Sequence, residues 1–255
     1  MHSFPEGCAL VFGGSGGIGS SVGTVFANSG TDIALVYNSR REPADAVAQR
    51  AVENGRKATI HCADVADEAQ VRETIETVIA DHGRIHTIVW GAGPLVDQQY
   101  LSEISMDSWR SAFEIEVHGF FSAVQAVLPH MRSKGGGSFV HLGSAGHDWW
   151  PERDGLSVAA KAANEQLIRG IAKEEGKWNI RANSVLVGVI DAGQLHALTE
   201  QGQLDERWVG KTRELLCLKR WGTPEEIGHA CVYFASDQGS YTTGQSISVA
   251  GGFGV

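Results

Sequence analysis

Phe12-Gly13-Gly14-Ser15-Gly16-Gly17-Ile18-Gly19 follows an apolar run, Cys8–Phe12, and opens a helical stretch, Gly17–Ser29. Strand, glycine loop and helix in that order make a site for a phosphate-bearing ligand. Glycines let the backbone approach a pyrophosphate, and the helix N-terminus turns free N–H groups and a positive dipole end toward it. The run parses as Gly14-x-Gly16-x-x-Gly19 or as Gly13-x-x-x-Gly17-x-Gly19. Gly13, Ser15, Gly16, Gly17, Ile18 and Gly19 are the expected contacts; a merely flexible loop is the competing reading.

Working outward, short apolar runs alternate with longer amphipathic ones. Strands are predicted at Cys8–Phe12, Ile33–Tyr37, Lys57–Cys62, Ile85–Trp90, Ser138–Leu142, Ile180–Val187 and Gln245–Val249. Helices are predicted at Gly17–Ser29, Pro43–Asn54, Glu68–His82, Met106–Met131, Val158–Gly176 and Pro224–Ser236. Consecutive apolar residues, as in Leu10-Val11-Phe12, suit strands covered on both faces. Strict alternation predicts a single α/β domain over residues 1–255: a doubly wound parallel sheet of about seven strands with helices on both faces. An apolar insert at about 191–219 interrupts the rhythm after the sixth strand. Leaving the carboxyl end of a strand, it is read as a lid or substrate loop, or as a plain surface hairpin.

Composition narrows the partners. A net charge of −9 on 255 residues, with no basic block, argues against a nucleic-acid or anionic-membrane surface. The four cysteines show no C-x-x-C pair and no metal-ligand spacing, so no metal is expected and the thiols are read as reduced. The first twelve residues lack signal-peptide character and no apolar run reaches membrane-spanning length. A cytoplasmic protein is the expectation.

The second predicted strand ends in Tyr37-Asn38-Ser39-Arg40-Arg41, with no carboxylate before Glu42. An acid there would grip the ribose 2′-hydroxyl of NAD. Asn38, Arg40 and Arg41 instead suit a 2′-phosphate, so NADP(H) is favoured over NAD(H). The other reading makes the arginines the solvated start of a helix.

Taken together, the whole chain resembles the short-chain dehydrogenase/reductase family, whose Rossmann-type fold agrees with the alternation. Gly13-x-x-x-Gly17-x-Gly19 resembles that family's cofactor loop, and Asp64-Val65 its adenine-contacting pair. Ala92-Gly93 matches the second half of its Asn-Asn-Ala-Gly motif. Ser144 falls at its catalytic serine, and Lys161 at the lysine of Tyr-x-x-x-Lys. Arg220-x-Gly222-x-Pro224-Glu225 and Thr243-Gly244-Gln245 through Gly251-Gly252 also match. Gly188 and Ile190, after the sixth strand, complete the implied cofactor set, with Lys161 hydrogen-bonding the nicotinamide ribose.

The departures cluster at the chemistry. Ser157 stands at the tyrosine position and Glu116 at the helix asparagine position. Trp90-Gly91 replaces the two asparagines, Val187-Gly188 the Pro-Gly, and Ala192 a threonine. The resemblance implies a tyrosine whose pKa is brought down from about 10 by lysine and the oxidised nicotinamide. Serine is far less acidic and shorter by a ring. Glu116, in an apolar helix, would either stay protonated and donate a proton or pair with Lys161. His147, beside Asp148, would either act as the acid or lie exposed on its loop. Trp149 and Trp150 would wall a pocket or pack on the insert. Dienoyl-CoA reductases of this family also lack the tyrosine. One branch has serine ahead of the lysine and another an acid at the helix asparagine position, and this chain has both.

The resulting expectation is an NADP(H)-dependent oxidoreductase with an atypical active site of Ser144, Ser157, Lys161 and Glu116. It would transfer hydride to or from a hydrophobic carbonyl or conjugated enoyl compound. The alternative is a catalytically silent subunit that binds cofactor or a partner chain. By the same analogy the chain would form a homodimer or homotetramer, or a hetero-oligomer with an active relative.

Overall fold

A computed structural model describes residues 2–255. Seven parallel strands form one sheet: β1 (Cys8–Phe12), β2 (Asp32–Tyr37), β3 (Ala58–Cys62), β4 (Ile85–Trp90), β5 (Gly137–Ser144), β6 (Ile180–Val187) and β7 (Ser246–Val249). Their spatial order is β3-β2-β1-β4-β5-β6-β7. The winding reverses between β1 and β4, and such a reversal leaves a crevice outside the strands' carboxyl ends.

The strand period of two builds two cores from one sheet. Cys8, Leu10 and Phe12 face one cluster, with α3 (Glu68–His82), α5 (Gly119–Ser133) and α6 (Gly155–Glu175). Ala9 and Val11 face the other, with α1 (Gly17–Asn28), α2 (Glu42–Glu53) and α9 (Pro224–Ala235). A side chain such as Phe12 or Leu35, fully buried, is worth roughly 1.5–3 kcal/mol of apolar transfer. Trp90 sits between Phe12 and Phe120, at ring-centroid distances of 4.9 and 5.4 Å. A Cβ on Gly119 would press to 3.2 Å of that indole, so the large side chain on β4 is matched by glycine on α5.

Two departures from the predicted elements matter for the site. The long helix predicted over Met106–Met131 is interrupted. It divides into α4 (Met106–Phe113), a π-helical turn Glu114–His118, and α5. The widened turn frees the Glu116 carbonyl, which accepts the Asn164 amide N–H of α6 at 2.9 Å. Second, α6 begins at Gly155 rather than Val158, so Ser157 belongs to its first turn. The 191–219 insert forms α7 (Gln194–Glu200) and α8 (Glu206–Leu215) over the strands' carboxyl ends. No helix among the described residues is long and apolar enough to cross a membrane.

Candidate active site

A cleft of about 1360 Å³ opens at the carboxyl ends of β1 and β4. Gly13, Ser15, Gly16, Gly17, Ile18 and Gly19 line its floor. The turn needs these glycines. Gly13 takes a φ of +79°, and a Cβ there would stand 2.5 Å from the Gly91 carbonyl oxygen; one on Gly17 would stand 2.5 Å from Gly193 N. Gly14 does not line the cleft: its N–H donates to Val36 O at 2.8 Å, and a Cβ would meet Leu35 at 2.8 Å. Of the two parses, Gly14-x-Gly16-x-x-Gly19 therefore misplaces its first glycine. The first turn of α1 carries no acid and no side-chain cap, leaving its N–H groups and dipole end for an anion.

Asn38 and Arg40 line the far wall, with Asp64, Val65, Ala92, Gly93, Gly188 and Ile190 continuing it. Arg41 is corrected. Its backbone is already helical at φ −78°, ψ −42°, and its guanidinium pairs with Asp45 one turn on, at 3.0 Å, outside the cleft. The bare helix end, the glycine floor and an acid-free β2 end fit a nicotinamide dinucleotide. Among the described residues no group of three or more His, Cys, Asp or Glu is placed to hold a metal.

The opposite wall is α6 and the end of β5. Ser144 accepts the Gly146 N–H at 3.0 Å, which leaves its own O–H free to donate into the cleft. Ser157 and Lys161, four residues apart on α6, line the cleft beside it. Ser157, Lys161 and Glu116 also meet in one small pocket with Gln194. Lys161 Nζ donates to Glu116 Oε1 at 2.9 Å, and the Glu116 side chain is only 4% exposed. A Cβ on Gly93 would stand 2.6 Å from Glu116 Oε2, so only glycine leaves room for the pair. Behind it lies a buried polar chain. His141 faces Glu116 at 3.7 Å and bonds Glu165 at 2.9 Å, and Ser246 donates to Glu165 at 2.7 Å. Apolar groups close the outer part: Leu95, Trp149, Trp150, Leu195, Leu198 and Trp208.

A family model described as enoyl-(acyl carrier protein) reductase matches residues 13–254. A short-chain type dehydrogenase/reductase from Mycobacterium ulcerans superposes with a TM-score of 0.90 at 26% identity, over 98% of this chain and 90% of that one. The chain belongs to the short-chain dehydrogenase/reductase family. It is 31% identical to sorbose reductase of Schizosaccharomyces pombe over 257 residues, 99% of this chain and 98% of that protein. A blue fluorescent protein from a metagenomic library, solved with NADPH, is 32% identical with a TM-score of 0.88, each chain covered to 98%.

Of the two readings open for Glu116 in this short-chain dehydrogenase/reductase, the structure shows the pair with Lys161. Burial pushes the Glu116 carboxyl up, but the Lys161 charge and the His141 contact outweigh it and hold it below the ordinary carboxylate range. Glu116 is an ionised partner, not an acid. His147 does not line the cleft. Its Nε2 is buried without a partner, and burial holds its pKa below the usual imidazole value.

Asp154 is the residue that sequence reading missed. It lines the cleft at the N-cap position of α6 without capping it, and its Oδ1 accepts from Gln98 Nε2 at 3.3 Å. Burial raises its pKa to about 6. From the ordinary 3.8 that corresponds to about 3 kcal/mol. The helix dipole favours the charged form by only about 0.3–1 kcal/mol, so burial wins. A signal was present: positions 154, 157 and 161 follow the helical face spacing i, i+3, i+7.

Proposed function

We propose that this short-chain dehydrogenase/reductase is an NADP(H)-dependent oxidoreductase with an atypical active site, acting on a carbonyl or conjugated enoyl compound that has an apolar part. One observation carries the reading: the glycine-lined floor and the Ser144/Lys161 wall belong to one continuous cleft. A nicotinamide dinucleotide bound there would supply or accept hydride. The N–H groups of residues 15–19 and the α1 dipole would hold its pyrophosphate. Arg40, with Asn38 and no competing carboxylate at the end of β2, would hold the 2′-phosphate.

Ser144 would donate its free O–H to the substrate oxygen, stabilising negative charge as it develops there. Lys161, fixed by Glu116, would point its remaining donors at the ribose. With Glu116 ionised, Lys161 adds little net charge to the cleft, and the pair works as a rigid post. Ser157, lacking the ring of a tyrosine, leaves room over that post for a bulkier substrate. Trp149, Trp150 and the leucines of α7, with Trp208 of α8, would cover the apolar part. The insert thus works as a lid, and its two helices are the segment that would move on binding.

Calorimetric titration with NADPH and NADH is the direct test. Wild type is expected to bind NADPH in the micromolar range and NADH at least tenfold more weakly, with Arg40→Ala erasing the difference. Binding of neither nucleotide would end the oxidoreductase reading.

A further inference from the structure

Asp154, Ser157 and Lys161 share one face of α6, and that face forms the cleft wall. We propose that Asp154 is the acid–base residue of this cleft, delivering the proton that a tyrosine would deliver elsewhere in the family. The proposal rests on the oxidoreductase reading above.

The geometry isolates this carboxyl. Asp154 occupies a helix cap position yet makes no cap bond, so its side chain is not held for α6. Gln98 engages Oδ1, and Asp154 itself lines the cleft. Among the described residues no cation forms an ion pair with it; burial raises its pKa and outweighs the Gln98 hydrogen bond and the Lys161 charge, which pull it down. Lys161 is held by Glu116. Arg153, its neighbour, donates to Gln98 O and lies over the Tyr100 ring. Arg207 and Lys211 reach the cleft from α8, on the insert, and Glu152 is exposed on the loop before α6. The remaining acids of the cleft are engaged: Asp205 caps α8 through Trp208 N, and Asp64 accepts from Ala66 N. From the 91–105 segment, Asp97 accepts from Gln203 and Glu103 from Tyr100 N.

The step balances. On reduction the substrate carbonyl carbon gains a hydride from the dinucleotide and its π pair moves to oxygen. The O–H bond of Asp154 breaks as the new O–H bond forms, and the carboxylate regains a proton from water in the open cleft. Oxidation runs the same exchange in reverse and starts from the ionised form. Because burial places the carboxyl at about 6, reduction should slow and oxidation should quicken as pH rises through that value.

The test compares wild type, Asp154→Asn and Asp154→Glu in three measurements: NADPH affinity, thermal unfolding without substrate, and NADPH-dependent reduction. The reduction probes are an acetoacetyl thioester, a keto-sugar and cyclohexenone, followed between about pH 5 and about pH 9. Asp154→Asn should bind NADPH within about twofold of wild type, lose at least about 100-fold in kcat and lose the limb near pH 6. It should also unfold at a higher temperature than wild type above pH 6, because the buried charge is gone. Asp154→Glu should keep the limb and recover part of the turnover. If wild type reduces a probe and Asp154→Asn keeps both its rate and its limb, the proposal is overturned while the oxidoreductase reading stands. Lowered stability of Asp154→Asn above pH 6 would make the residue structural and overturn it too. Should wild type bind NADPH but reduce no probe, the oxidoreductase reading falls and takes the proposal with it.

Discussion

Glu116 and Asp154 bring carboxyl groups to two regions of one helix face, and burial pushes both toward the neutral form. Their fates differ because of their neighbours. Beside Glu116 the Lys161 ammonium lies at 2.9 Å with His141 behind it, and the carboxyl stays ionised. Asp154 has one neutral amide in hydrogen-bond contact and feels the Lys161 charge without forming an ion pair, and burial raises its pKa to about 6. Desolvation sets the cost of a buried charge, but the partner decides whether the charge persists. A paired acid is a structural post. An unpaired one is free to exchange its proton.

Removing the partner breaks the comparison most sharply. Lys161→Met leaves the buried Glu116 charge with only His141 facing it at 3.7 Å and should cost about 3–5 kcal/mol in urea unfolding at pH 7. The double variant Glu116→Leu/Lys161→Met should recover most of that loss, since the apolar replacement needs no partner. Equal losses in the single and double variants would mean the pair is not coupled.

Asp154→Asn sharpens the other side through pH. The folded-state pKa of Asp154 is raised, so its favourable contribution is present below its unfolded value of 3.8 and lost as pH rises through about 6. The variant's advantage over wild type should therefore grow between about pH 4 and pH 6, then level off at no more than about 3 kcal/mol. An advantage that does not change with pH would place the Asp154 carboxyl in water.

Smaller effects follow at the margins. Gly93→Ala puts a methyl group against Glu116 Oε2 and should destabilise by roughly 1–3 kcal/mol, with NADPH affinity lowered as well. At the cofactor end, Arg40→Ala should weaken NADPH binding about tenfold or more and leave NADH unchanged. Arg41→Ala should alter neither by more than about twofold, because Arg41 does not line the cleft.

The two ends of the cleft were not equally legible. The dinucleotide end is written in contiguous residues: strand, glycines and helix start follow one another, and their backbone needs are local. The bounds of β1, β4 and β6 and of α3 agree with the sequence reading for the same reason, since alternation and caps are local signals. The substrate end is assembled from separate segments. A helix asparagine position holding glutamate can be seen in a sequence, but not whether a lysine forty-five residues on will ionise it.

What the sequence by itself determined is the α/β alternation, the anion cradle and the helix face shared by Ser157 and Lys161, because period and spacing need no distant partner. Tertiary structure alone decided that Glu116 is ionised and that His147 is turned out of the cleft. It also placed Asp154 in the cleft wall with Gln98 as its hydrogen-bond partner and no ion pair. Charge state depends on burial and on which side chains meet, and both are set by contacts between distant parts of the chain.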